Sequence, residues 1–160
     1  MSKSYAAWAA VGLLIGGAAV ALVGLCLRAS AAGHLDKDRE LATSGPYRYT
    51  RNPLYLGSFL MGSGFAVAGE SWVLGLGFVA LFLLVYWPVI RGEENYLRRH
   101  FGEAYDRYAE SVSLFIPSRG GMPASGKAFR WERYRKNREY EAALGYGAGI
   151  VFLVLKIVLR

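Results

Sequence analysis

The sequence predicts an all-α integral membrane bundle, with about four transmembrane helices and amphipathic helices on the cytoplasmic side. Three observations lead there. Hydrophobic residues make up 54% of the 160 residues, above the roughly 45–50% usual in soluble domains. The mean hydropathy is positive, at +0.22. The apolar residues are also bunched: Tyr5 to Leu27, Leu54 to Gly69, Ser71 to Ile90 and Ala142 to Leu155 contain no Asp, Glu, Lys, Arg or His, and polar stretches separate them. The whole chain, 1–160, is expected to form one membrane domain.

A helix rises about 1.5 Å per residue and the hydrocarbon layer is about 30 Å thick, so a span needs roughly 17–25 residues. The first block, 5–27, is long enough. Lys3, the apolar run and Ala29-Ser30-Ala31 imitate a secretory signal, but the run exceeds the usual h-region of about 7–15 residues and Arg28 follows it directly, so it is expected to stay as a span. The block 54–69 is short. Only Glu70 separates it from 71–90, and Gly69, Glu70 and Ser71 supply turn chemistry, which predicts a tight helical hairpin. The last span, 142–159, carries Lys156, whose stem is long enough to put its ammonium at the interface. Gly12 and Gly16, Gly145 and Gly149, and the hairpin glycines recur at helix-contact spacing, so helix backbones approach closely and room for a homodimer contact remains. The single cysteine, Cys26, excludes an intrachain disulfide, and its place at the end of the first span favours plain packing over reactivity.

Charge fixes the orientation. Sixteen of the nineteen Lys and Arg residues fall in segments 28–53 and 91–141, and none in the hairpin turn. Four spans place both segments on one side, and the positive-inside rule makes that side cytoplasmic. The net charge of +7 then lies beside an anionic leaflet. Orientation accounts for the charge without nucleic acid as a partner. His34 and His100 stand in different segments with no cysteine beside them, so no metal site is expected.

The first polar segment turns through Ser44-Gly45-Pro46 and enters the second span at Pro53, which suits a first helical position. That span therefore presents its N-terminus, with Arg51, to the cytoplasm. This is either a seat for a carboxylate or phosphate, or an end capped by Asn52. Beyond the hairpin, Arg91 to Ala109 reads as an amphipathic surface helix, with Tyr96, Leu97, Phe101, Tyr105 and Tyr108 on one face. Glu93 and Glu94 follow where the third span leaves lipid. Ser118 to Gly126 reads as a connector, and Phe129 to Glu141 as a basic aromatic helix leading into the last span.

These residues together resemble the isoprenylcysteine carboxyl methyltransferase and phospholipid methyltransferase superfamily. The resemblance rests on Gly45-Pro46-Tyr47-Arg48-Tyr49-Thr50-Arg51-Asn52-Pro53-Leu54-Tyr55-Leu56-Gly57, then Glu93-Glu94, Phe101-Gly102-Glu103-Ala104-Tyr105 and Phe115-Ile116-Pro117. It implies a methyltransferase that uses S-adenosyl-L-methionine, with Glu40, Leu41 and Ala42 flanking the adenosyl moiety, Tyr47 beside Asn52, Pro53, Leu54 and Tyr55, and Glu93 completing the pocket. Arg51 and helix N–H groups suit the cofactor's carboxylate, and carboxylates suit its ammonium and ribose hydroxyls. The family commonly has His where this chain has Asn52, so a general base at that position is not expected.

Methyl transfer from a sulfonium needs alignment and a dry site. Arg91 is the candidate to position a carboxylate acceptor, and Glu94 the candidate base for an amine. The resemblance implies a lipophilic acceptor, small or lipid-modified: an isoprenylcysteine-like carboxylate or a thiol first, an ethanolamine-type phospholipid as the alternative. A sterol-type reductase and a non-catalytic bundle are the readings from other classes.

Overall fold

The computed structural model describes residues 3–37, 39–118, 123 and 127–159, with backbone alone for 3, 4, 6 and 7. The expected connector 118–126 lies almost wholly outside them. The described residues form helices α1 (Lys3–His34), α2 (Pro53–Ala68), α3 (Trp72–Phe101), α4 (Glu103–Ser111), α5 (Trp131–Lys136) and α6 (Tyr140–Val158), with a 3-10 turn at Gly45–Arg48. The one β-type pairing among them is an isolated bridge between Thr50 and Ser113.

Helices α1, α3 and α6 are long and apolar enough to cross a bilayer. Helix α2, at 16 residues, is about 24 Å long and falls short of a roughly 30 Å core by itself. Outward side chains such as Leu84 (75% exposed) and Phe152 (68%) need lipid as their solvent. Cys26 is also on an exposed face of α1.

Helices α1 and α2 pack along a seam of small residues. A Cβ added at Gly24 would stand 2.5 Å from the carbonyl oxygen of Gly57, and one at Gly57 would stand 2.7 Å from that of Gly24. Gly17 and Ala21 meet Gly64 and Ala68 one to two turns away. In lipid, where apolar burial drives no association, such backbone approach supplies the packing. Gly12, Gly16 and Gly145, expected at helix contacts, face nothing within 4 Å; Gly149 meets the ring of Phe65.

The hairpin turns at Glu70, whose φ is 58°, and Ser71 caps α3 by accepting from the Leu74 N–H at 3.3 Å. Helix α3 then runs through Pro88 and past Ile90 to Phe101, so the expected surface helix 91–109 is in fact two pieces. Its first part continues α3, and the break falls at Gly102, where φ is 53°. Pro88 removes one backbone donor only, which a membrane helix with packed neighbours tolerates. The expected helix 129–141 is likewise divided: α5 ends at Lys136 and α6 begins at Tyr140, with Arg138 at φ 56° between them.

Both polar segments leave the bundle at one end. Arg28 near the end of α1 pairs with Glu139 just before α6 at 2.7 Å, and Tyr55 in the first turn of α2 donates to Glu93 in α3 at 3.0 Å. At the opposite end Lys156 donates to the hairpin carbonyl of Gly69 at 3.0 Å.

Candidate active site

The polar segments enclose a cavity of about 710 Å³ between the end of α1, the loop 35–55, the first turns of α2 and the second half of α3. Two contacts give the loop its shape. Residues 49–52 run beside 113–118: the Arg51 N–H donates to the Ser113 carbonyl at 3.0 Å and the Ser118 N–H to that of Tyr49 at 2.8 Å, while the Thr50 hydroxyl donates to the Phe115 carbonyl at 2.9 Å. Phe115 in turn packs against Phe59 and Phe82. Beneath the loop, Tyr105, Tyr108 and Val112 form a buried cluster against Leu41, Leu97 and Phe101, and Tyr108 donates to the Tyr47 carbonyl at 2.7 Å. Burial raises the phenols of Tyr47 and Tyr108 above their ordinary value, so Tyr108 stays a donor.

Of the residues expected at the site, Glu40, Leu41, Ala42, Tyr47, Arg51, Asn52, Pro53, Leu54, Tyr55, Glu93 and Glu94 all line this cavity. Arg91 does not. Its guanidinium lies over the Trp87 ring, 4.7 Å from the centroid, and reaches Glu94 Oε2 at 3.3 Å from outside.

Glu94 is 7% exposed and both its oxygens are engaged. Arg51 meets Oε1 at 2.8 Å, Tyr105 donates to the same oxygen at 2.9 Å, and Arg91 holds Oε2. Burial, with the bond to Glu94, pushes the Tyr105 phenol up to about 12. Glu94, the residue expected as a base for an amine acceptor, is thus in contact with Arg51, Arg91 and Tyr105. Arg51 keeps one buried atom, Nε, without a partner.

Asn52 stands at the N-cap of α2, yet its side chain makes no capping bond; Nδ2 donates instead to the Leu114 carbonyl at 3.0 Å. The first N–H groups of α2, at Leu54 and Tyr55, therefore lack both an intrahelical and a side-chain acceptor. Asn52 is a strut between the loops, and a histidine there retains one ring N–H that is able to donate. Asn52→His is expected to change activity less than twofold, whereas Asn52→Ala, which leaves the Leu114 carbonyl only the long 3.4 Å contact from the Thr50 hydroxyl, costs about 1 kcal/mol of stability; thermal melts and initial rates check both.

Glu40 is held from the C-terminal segment, by Lys127 at 2.5 Å and Arg133 at 2.7 Å. The Lys127 hydrogen bond holds its carboxyl below the ordinary 4.5 against opposing desolvation, and Arg133 adds to it. A lowered folded value means that this tether stabilises fully above pH 4.5 and is lost as pH falls through the folded value. The difference in melting temperature between the wild type and Glu40→Gln is thus expected to be constant from about pH 6 to 8 and to be lost as pH falls through the lowered folded value.

Sequence reasoning missed Arg28, Ser58 and Tyr86, which also line the cavity. Arg28 carried a weak signal as the first charge after a long apolar run. Tyr105 and Tyr108 were legible only as one apolar face. Among the described residues, no group of three or more His, Cys, Asp or Glu is placed to hold a metal ion.

The sequence profile of the phospholipid methyltransferase family matches residues 7–104, which include the α2–α3 hairpin and both carboxylates of α3. The chain belongs to that family. Among curated relatives, a nickel-cobalt-cadmium resistance protein of Alcaligenes xylosoxydans xylosoxydans is 40% identical over 81 residues, 51% of this chain and 38% of that protein. The protein-S-isoprenylcysteine O-methyltransferase of Schizosaccharomyces pombe is 37% identical over 90 residues, 54% of this chain and 36% of that enzyme. Protein-S-isoprenylcysteine O-methyltransferase A of Arabidopsis thaliana is 30% identical over 107 residues, covering 67% of this chain and 54% of that enzyme. The chain thus spans little more than a third of the first two relatives. No solved structure matches it.

Proposed function

We propose that the chain is an S-adenosyl-L-methionine-dependent methyltransferase whose acceptor is lipophilic and carries a carboxylate, of the isoprenylcysteine type. The observation that carries this reading is the cavity in which Arg51 and the open first turn of α2 face Glu93 and Glu40. The residues fit the cofactor's charges: the partnerless Nε of Arg51 and the α2 N–H groups match a carboxylate, and Glu93, with Oε2 already accepting from Tyr55, offers Oε1 to an ammonium or a ribose hydroxyl. The volume lies within the roughly 300–1,000 Å³ of ligand pockets.

S-adenosyl-L-methionine, when bound, supplies a sulfonium methyl group for in-line displacement. The protein's part is alignment and exclusion of water. Leu41, Ala42, Leu97 and Phe101 give the cavity apolar walls, Tyr47 and Tyr108 close it beneath the loop, and Glu94 keeps the guanidinium of Arg51 in place. A carboxylate acceptor needs no proton removed, whereas an ethanolamine-type amine needs a base; Glu94, engaged at both oxygens, is poorly free to serve as one. This favours the carboxylate over the phospholipid amine that the family name brings forward. The distribution of Lys and Arg supports a cavity on the cytoplasmic side, beside an anionic leaflet.

Calorimetry on detergent-purified protein tests the reading. S-adenosylhomocysteine is expected to bind and NADPH is not; tight NADPH binding without S-adenosylhomocysteine binding would move the chain to the reductase class. Glu93→Gln is expected to weaken S-adenosylhomocysteine about tenfold, the loss of one charge-assisted bond, with little change in melting temperature.

A further inference from the structure

One partly buried ion pair stands apart from the carboxylate-rich half of the cavity. Arg28 donates from Nε and Nη2 to the two oxygens of Glu139, at 3.0 and 2.7 Å, and from Nη1 to the Ser58 hydroxyl and, at 3.4 Å, to the Leu54 carbonyl. The Glu139 side chain is 7% exposed. Arg28 keeps 23% of its side chain exposed, so the desolvation cost falls mainly on Glu139, and stability alone is a weak reason for such a pair. Arg28 and Ser58 line the cavity, and Glu139 does not. The cavity is therefore presented with the cation, while the carboxylate stands behind it.

Position decides what this cation meets. Ser58 lies about one turn deeper along α2 than Tyr55, and the neighbouring lining residues of α3, Val89 and Tyr86, lie about one and two turns deeper than Glu93. This is the end of the cavity nearest the lipid-exposed stretch of α3 around Leu84 and Val85. Among the described residues lining that end, Arg28 is the one charged side chain. A lipophilic acceptor whose tail stays in lipid brings its polar head here, while Arg51 and Glu93 lie farther out. Of the five N–H groups of a guanidinium, the bonds to Glu139, Ser58 and Leu54 use four and leave one on Nη2.

We propose that Arg28 receives the carboxylate of the lipophilic acceptor and disfavours acceptors ending in an ammonium, and that Glu139, beyond residues 7–104 of the family match, is the positioning residue that sets its guanidinium. This rests on the methyltransferase reading above for the word acceptor, but not for the anion site itself. Fixed by Glu139 and Ser58, the guanidinium loses little freedom when its remaining Nη2 N–H meets a carboxylate oxygen, and its positive charge is what disfavours an ammonium there.

The test titrates the detergent-purified full chain with a prenylated N-acetylcysteine and with its primary amide, and measures S-adenosylhomocysteine separately. The wild type is expected to bind the acid at least tenfold more tightly than the amide. Arg28→Gln removes this preference and leaves S-adenosylhomocysteine affinity within twofold. Glu139→Gln, which keeps Arg28 but frees it, cuts the preference severalfold, and Glu139→Asp restores part of it; a merely structural role would change melting temperature and not this ratio. Equal affinity for acid and amide in the wild type overturns the proposal. So does a preference that survives Arg28→Gln, or, where that variant does not fold, one that survives Glu139→Gln. Phosphatidylethanolamine displacing the acid at equal concentration also overturns it. A wild type that discriminates acid from amide but binds no S-adenosylhomocysteine would sink the methyltransferase reading and leave the anion site standing.

Discussion

Replacing Arg51 with alanine is expected to lower affinity for S-adenosylhomocysteine by about 10- to 100-fold, the range that a charge-assisted hydrogen bond of roughly 1.5–3 kcal/mol implies. The same change removes the guanidinium that meets Glu94 at 2.8 Å. Glu94 keeps Arg91 and Tyr105, so the loss of stability stays below the roughly 3–5 kcal/mol of a buried charge left with no partner. Arg51→Lys, a point charge without the planar fork, falls between wild type and alanine. Calorimetry reads the affinity and a thermal melt the stability. An unchanged affinity in a folded Arg51→Ala protein would remove this residue from the cofactor half of the cavity.

Gly57→Val is expected to have the largest effect on folding. Its Cβ would meet Arg28 Cγ at 2.6 Å and the Gly24 carbonyl oxygen at 2.7 Å; the Arg28 side chain is able to shift, but the carbonyl is helix backbone and yields only if α1 and α2 separate. Overpacking costs about 1–3 kcal/mol, and a backbone neighbour puts this site at the upper end, a fall in melting temperature of roughly 5–10 °C for a chain of this size. Gly12→Val is the matched control, since nothing lies within 4 Å of that position. It is expected to melt as the wild type does, and a changed sedimentation coefficient in that variant would reveal a homodimer contact through the outer face of α1.

The helical membrane architecture was readable because lipid imposes a blunt demand. A soluble fold of this length has no interior large enough to hide four charge-free blocks, and the positive-φ turn at Glu70 falls where Gly69, Glu70 and Ser71 predict it. What was not readable depended on partners. The glycines of α1 offer two frames, Gly12 with Gly16 and Gly17 with Gly24, and only the facing backbone of α2 selects the second. The end of α3 was placed too early because loss of hydrophobicity at Arg91 marks a change of solvent, not the end of a hydrogen-bonded helix; Gly102 makes that end. Glu93 and Arg91 lie two residues apart on one helix, and the rotation that sends Glu93 into the cavity carries Arg91 over Trp87. Asn52 showed a capping residue type at a helix start, but nothing in its neighbours indicated that Leu114 would take its amide. The Arg28–Glu139 pair joins residues 111 apart, and no local pattern couples them.

The most direct test of the central claim, that one cavity between the loop before α2 and the second half of α3 holds S-adenosyl-L-methionine, is hydrogen exchange of the nanodisc-embedded protein with and without S-adenosylhomocysteine. The expected result is protection of the backbone amides at Glu40 to Ala42, at Leu54 and Tyr55, and at Glu93 to Leu97, with Glu93→Gln needing about tenfold more ligand to reach the same protection. Protection confined to other segments, or none at saturating ligand, would contradict it.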